Sequence, residues 1–294
     1  MVTATAAPAA AESDAAYCLE QVRRFDRDRY MAALFAGGGT RTDLLALYAF
    51  NLELAKIREV VREPMMGLIR LQWWRDCIAE IYAGNARRHQ VAQPLAAAVA
   101  RRGLPRESFE RLIDSREADM DGAAPADLAA LRAYAESTGG TLLELATRIV
   151  MDSAKATAPV LSAARDLGTA WALIGLVRAI PFHARAKRVY VPQALTADAG
   201  VAGDDLFELR PGPGFAAAVG HICGEAGRLM AKAQATLPRP PRATFPVFLM
   251  AVLARRHLAS LAAAGFDVFD RRLADQPPAT PWPLAGAWLR GRVW

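Results

Sequence analysis

Residues 161–180, LSAARDLGTAWALIGLVRAI, constrain the fold more than any other stretch. Beyond Asp166 the run is apolar on nearly every side of a 3.6-residue repeat, so a helix here must be surrounded by other elements. Arg178 interrupts the pattern near its end, and an arginine on a buried helix needs an anion, a carboxylate or carbonyl oxygens as partner. What can surround such a helix is set by the rest of the chain. Ala, Leu, Arg and Glu dominate, and strict alternation of Val, Ile and Thr is absent, so an all-α protein is expected. At 294 residues and 53% hydrophobic content, the chain can bury a large core.

Two further helices stand out upstream. Asp43–Arg62 ends ahead of Pro64, and Met66–Tyr82 closes at Gly84-Asn85. On the first, Tyr48, Asn51, Ala55 and Glu59 share one face, while Ala46, Phe50, Leu54 and Ile57 share another. On the second, Leu68, Leu71, Trp74 and Ile78 oppose Arg70, Arg75 and Asp76. Tyr17–Phe35 is read as one helix stopped by Gly37-Gly38-Gly39, which lacks the Lys-Ser/Thr of a phosphate loop and is read as a plain turn.

Helices are also expected over Asp127–Met151, Phe215–Leu237 and Val247–Ala264. Gly139-Gly140 inside the first signals close helix contact or a bend, because mid-helix glycine costs roughly 1 kcal/mol relative to Ala. Pro181 should end the apolar helix and release Phe182–Pro192 as a basic loop leading into extended chain. Residues 1–16, rich in Ala and without Lys or Arg, are expected to be a flexible tail rather than a targeting segment, with residues 17–294 forming one domain.

The formal charge of +6 permits an anionic partner, but the basic residues are interspersed with acids, which argues against nucleic acid. Cys18, Cys77 and Cys223 are too far apart for a CxxC site or a disulfide framework and fit a reducing compartment. No window of about 20 uncharged apolar residues is present, so a cytoplasmic protein, at most peripheral to the inner membrane, is expected. His89, His183, His221 and His257 form no HxxxH or HExxH pair. The acids Glu110, Asp114, Glu117 and Asp121 recur at helical spacing, which suits either a hard cation or, given the interleaved Arg111 and Arg116, a solvated face. Asp204-Asp205-Leu206-Phe207-Glu208 is read as capping a short helix, and the Trp-rich end (Trp282, Trp288, Trp294) as packing onto the domain, since its tryptophans point in three directions.

Four stretches together carry a resemblance: DRDRYMAALFA (26–36), LYAFNLELAKIREVV (47–61), IRLQWWRD (69–76) and LGTAWALIGLVRAIPFHARAKRVYVP (167–192). In order and separation they resemble the squalene/phytoene synthases, which implies an isoprenoid-synthase-like helical fold around a central cavity. Enzymes of that family use Mg²⁺ held by two aspartate clusters to neutralise the diphosphates of prenyl substrates. The resemblance places the first cluster on Ala55, Lys56 and Glu59, and the second on Ala179 and His183 after Arg178. A Ser-Phe pair that touches diphosphate in the family falls on Arg29-Tyr30.

These departures, with the sequence Arg178–His183, resemble the family's branch of respiratory complex I (NADH:ubiquinone oxidoreductase) assembly factors. That implies a non-catalytic protein with no catalytic residue, no metal and no cofactor, whose partner is a respiratory-complex subunit. Two alternatives remain. One is a prenyltransferase of squalene/phytoene synthase type, requiring Mg²⁺ or using Arg178, Arg185, Lys187 and Arg188 as counter-charges. The other is an isoprenoid or lipid carrier. In either, Tyr48, Asn51, Glu59, Trp171, Gly175, Arg178, Arg185, Lys187, Arg188 and Tyr190 would line the cavity.

Overall fold

The structure is a computed structural model that describes residues 6–151, 155–201, 203–209, 212, 214–274 and 281–294. These residues form helices and connecting turns, with no strand among them. They divide into two compact units. One comprises the chain up to Met120 with Glu144–Leu161 and Pro240–Val247, and the other comprises Asp121–Leu143, Ser162–Arg239 and Phe248–Trp294.

In the first unit, α1 (Ala6–Phe25) packs on α3 (Gly38–Val60), with the short α2 (Arg27–Ala33) between them in sequence. The helix α3 also packs against α5 (Ala92–Arg102), and α4 (Pro64–Tyr82) against α6 (Arg106–Asp114). Three boundaries differ from expectation. The chain is helical from Ala6, within the stretch read as a tail, because alanine is the strongest helix former. The expected single helix Tyr17–Phe35 breaks at Asp26, whose side chain accepts the amide of Arg29 and starts a new helix. Two of the three glycines lie inside α3 and only Gly37 precedes it; Arg41 reaches back to donate to the carbonyls of Leu34 and Ala36 at 3.2 and 2.9 Å.

The core of this unit is aromatic. Phe50 of α3 meets Trp74 edge-on at 5.1 Å and Phe109 at 5.6 Å. Asp43, fully buried on α3, accepts from Arg101 at 2.5 Å and Arg102 at 2.7 Å, and Arg102 also donates to Thr40. The carboxylate is thereby satisfied at the seam between α3 and α5.

The helix Ala158–Arg178, which belongs to the second unit from Ser162 onward, runs there through Ala163, Ala164, Leu167, Ala170, Leu173, Ile174 and Val177, all buried. It passes a π-helical turn at Glu136–Gly140, where the backbones nearly touch. A Cβ on Gly139 would strike the carbonyl oxygen of Gly168 and come within 2.7 Å of Ala172; one on Gly140 would lie 2.8 Å from the Thr169 hydroxyl. The glycine pair thus makes the close contact its position predicts. Glu225 of Gly214–Thr236 pairs with Arg132 and Arg228 at 3.2 and 2.7 Å, and Lys232 pairs with Asp166 at 3.0 Å.

The helix does not give way to a long loop after Pro181. A second helix, Ile180–Arg185, starts at once, because proline in the first turn of a helix lacks only an amide that would be unpaired there anyway. Two helical stretches, Ala158–Arg178 and Arg242–Ala263, are long and apolar enough to cross a membrane, a looser test than an uncharged run. Their most apolar windows are 67% and 56% buried, as core helices are. At the C-terminal end, Trp294 donates its indole N–H to Leu237 at 2.8 Å and packs on Phe248, whereas Trp282 stays 77% exposed.

Candidate functional site

A hollow within the first unit is bordered by residues of α1, α3 and α4 and by His89. It measures about 400 Å³ and is lined by Tyr17, Gln21, Glu53, Lys56, Ile57, Val60, Arg70, Trp73, Trp74 and His89. Lys56 reaches across to Gln21 at 3.1 Å and sits 3.3 Å above the Phe25 ring. Burial pulls its ammonium pKa below the ordinary lysine value, against the opposing pull of Glu53 and Glu59. Trp73, Trp74 and His89 form a triangle with centroids 4.9, 5.3 and 5.3 Å apart. Arg87 stacks over Trp73 and is itself held by Glu80 at 2.6 Å. The hollow is therefore half aromatic wall and half charged rim.

This is not the face the sequence singles out. At 100° per residue, Glu53, Lys56, Ile57 and Val60 lie about 140° around α3 from Tyr48, Asn51, Ala55 and Glu59. Tyr48 and Asn51 are buried, Ala55 is half-buried and Glu59 is exposed. Burial also raises the Tyr48 phenol above its usual range, and the Arg29 guanidinium lies 5.7 Å from its ring. Of the three positions to which the resemblance assigns aspartates here, only Lys56 faces the hollow. Ala55, Lys56 and Glu59 offer one carboxylate beside one ammonium, a donor set that does not fit Mg²⁺.

The second region is reported by itself. Trp171 is buried and lies 5.7 Å from His257, while Gly175 borders open space, since a Cβ there would meet nothing within 4 Å. Arg178, expected at a buried position, is exposed as the last residue of its helix. Arg185 and Lys187 are exposed as well, and Arg188 is half-buried. Lys187 takes a left-handed backbone (φ 54°) as the chain leaves the Ile180–Arg185 helix. His183 stacks against Tyr190 at 4.7 Å, and Tyr190 in turn faces Tyr134 at 6.0 Å. Ala179, the other position assigned to the second cluster, lies at the joint between the two helices. Tyr190 also lines an apolar crevice with Leu131, Leu176, Val177, Ile180, Val191 and Ile222 that is too narrow to admit water.

The sequence missed Tyr17, Gln21, Glu53, Arg70, Trp73 and His89 as members of one hollow. The aromatic pair Trp73-Trp74 was the available signal, but nothing local ties it to His89 or to α1. Among the described residues no three of His, Cys, Asp and Glu converge as metal ligands. The acidic series on and after α6 is a solvated face bound up with arginines: Arg75 pairs with Asp114 at 2.9 Å and with Glu117, and Arg106 pairs with Glu110 at 2.7 Å. Asp204 of the DDxxE-like run lies outside the described side chains, although Gly203–Phe207 is helical.

Comparison with known proteins places these features in a family. The sequence profile of the squalene/phytoene synthases matches residues 22–279. A relative from Rattus norvegicus, "NADH dehydrogenase (ubiquinone) complex I, assembly factor 6", is 29% identical over 269 residues, covering 91% of this chain and 80% of its own. Among solved structures, a dehydrosqualene synthase in complex with ligand superposes with a TM-score of 0.79 at 15% identity, covering 96% of both chains. A squalene synthase from Alicyclobacillus acidocaldarius superposes with a TM-score of 0.75 at 19% identity, covering 87% of this chain and 95% of that one. The fold is therefore the isoprenoid-synthase-like helical fold.

Proposed function

The chain belongs to the squalene/phytoene synthase family, and from that premise we propose that it is a non-catalytic member that assists assembly of respiratory complex I. What supports this reading is the donor set on α3: Ala55, Lys56 and Glu59, the positions to which the resemblance assigns aspartates, supply one carboxylate beside one ammonium. Ionising an allylic diphosphate requires its charge to be neutralised by bound metal, and a lysine beside a single exposed glutamate does not gather one. In the second region, Ala179 and His183 offer no carboxylate, and a new helix starts between them at Ile180, with Pro181 in its first turn. The shared sequence with a protein named as a complex I assembly factor supports the assembly role. On this reading the protein works without Mg²⁺, in the cytoplasm or at the inner-membrane surface, and its partner is a subunit or intermediate of the complex.

Deleting the gene and measuring NADH:ubiquinone oxidoreductase activity tests the proposal. Activity and assembled complex should fall, and both wild type and Glu59→Gln should restore them, since no metal depends on that carboxylate. Unchanged complex levels in the deletion strain would overturn it.

A second reading, prenyl coupling without the usual metal, is favoured by Arg185 and Lys187. Both are exposed and make no ion pair among the described residues. Incubation with farnesyl or geranylgeranyl diphosphate in the presence of a metal chelator would then yield a C30 or C40 hydrocarbon; absence of product removes it. A lipid-carrier role receives no support from the crevice of the second unit, which lacks room even for water.

A further inference from the structure

Exposed apolar side chains are normal when scattered and informative when gathered. In this protein Val60, Met65, Met66, Leu68 and Ile69, at 59, 65, 50, 37 and 54% exposure, fall within ten residues where α3 ends and α4 begins. Only Val61 and Gly67 in that stretch turn inward, Gly67 so closely that a Cβ would strike the Met120 sulfur. The start of α4 is thus pinned by Gly67 while its remaining side chains project outward. Folding alone gives no reason to display so much apolar surface, because each of these side chains would be more stable in contact with another apolar phase.

The surroundings identify that phase. Arg62 and Arg70 flank the ridge, are exposed, and make no hydrogen bond or ion pair among the described residues. Val60 belongs both to the ridge and to the wall of the 400 Å³ hollow, which Arg70, Lys56 and Trp73 also line. Apolar residues that project outward, cations beside them and a tryptophan at their edge are the arrangement by which a protein settles into the boundary between lipid headgroups and acyl chains. Glu53, Glu59 and Glu63 reduce the local positive charge, and Lys56, Arg58, Arg62 and Arg70 exceed them by one.

We propose that the α3–α4 junction is a membrane-docking edge for an anionic lipid bilayer. Met65, Met66 and Ile69 enter the acyl boundary, Arg62 and Arg70 lie at headgroup level, and the hollow beside Val60 receives a headgroup phosphate near Lys56 and Arg70. This is independent of the assembly role, since a peripheral protein of any activity would dock in the same way.

Flotation of the full-length protein with vesicles tests it. Wild type should float with phosphatidylcholine vesicles containing phosphatidylglycerol, less with pure phosphatidylcholine, and less again at high salt. The combined variant Met65→Ser, Met66→Ser, Ile69→Ser removes only exposed side chains, so the fold should survive; its partitioning should drop by at least about tenfold. Arg62→Gln and Arg70→Gln should each lower partitioning about fivefold on the anionic vesicles alone. The control pair Trp282→Ser, Leu289→Ser, equally exposed but remote in sequence, should leave it unchanged.

Failure of wild type to float, or equal flotation of the triple serine variant, overturns the proposal. So does self-association that the triple variant abolishes while vesicle binding is absent, which would make the ridge a contact between copies. Loss of docking in the Trp282 and Leu289 control, with the ridge variant unaffected, would move the membrane surface to the C-terminal helix and equally overturn it.

Discussion

The helices that carry the two regions assigned to aspartate clusters are held in place by opposite means. In the first unit α3 is gripped by large side chains: Phe50 between Trp74 and Phe109, and Asp43 between two arginines. In the second, the apolar helix is held by the absence of side chains, with Gly139 and Gly140 laid against Gly168 and Thr169. Bulky interlock leaves irregular space around a helix, and the first unit keeps an aromatic hollow beside α3. Close backbone packing leaves little, and the crevice beside Val177 and Ile180 cannot hold water. The first region lies on an uninterrupted helix, whereas the second has a joint in the helix itself at Ala179.

The sharpest way to break this comparison is to remove the aromatic grip. Trp74→Ala deletes a nearly buried indole touching Phe50, Trp73 and His89, and should cost about 4 kcal/mol in chemical denaturation. A cost below about 1 kcal/mol would mean that the side-chain interlock is not what holds α3.

Next in size is the backbone contact. Gly139→Ala should destabilise by about 3 kcal/mol, because the added methyl meets a carbonyl oxygen that cannot move aside without shifting its helix. Gly175→Ala, on the same long helix but facing open space, should instead stabilise by about 0.8 kcal/mol through helix propensity. If both substitutions behave alike, close packing does not distinguish the second unit.

How much of this was legible in the sequence follows from the same contrast. A glycine pair in mid-helix has a local cost that demands a local reason, so the contact at Gly139 could be foreseen, as could the end of α3 ahead of Pro64. The hollow could not. Its walls come from residues as far apart in sequence as Tyr17 and His89, and no periodicity encodes which distant segments meet. Arg178 was misplaced for a related reason: a burial pattern speaks for the helix axis, while a long side chain at a helix end can leave the core. The hollow lined by Glu53 and Lys56 lies on the other side of α3 from the Tyr48–Glu59 face, a matter of packing rather than period.

The buried ion pair of the first unit should weigh less than either packing feature. Asp43→Ala leaves Arg101 and Arg102 without their carboxylate, but Arg101 is half exposed and can turn to water, so the expected loss is about 2 kcal/mol. Arg101→Ala alone should cost clearly less, because Arg102 still satisfies Asp43. Equal losses would show that the outer arginine is as important as the inner one.

The last effect is silent at neutral pH and concerns the thiols. Burial first, then the charges of Asp14 and Glu53, push Cys18 from an ordinary value of 9.0 up to about 12, and its S–H points at the Gln90 carbonyl at 3.5 Å. Burial alone raises Cys223 in the second unit to about 11. A group whose folded pKa is raised contributes stability that is fully present below its unfolded value and lost as pH climbs toward the folded one. Stability should therefore decline between pH 9 and about 12 in the first unit's case, and between pH 9 and about 11 in the second's. Urea midpoints measured across that range should fall less steeply for Cys18→Ala than for wild type, and Cys223→Ala should flatten only the earlier part of the fall. Superimposable profiles above pH 9 would mean that these thiols ionise as freely in the folded chain as in the unfolded one, and that the core around α1 and α3 admits water.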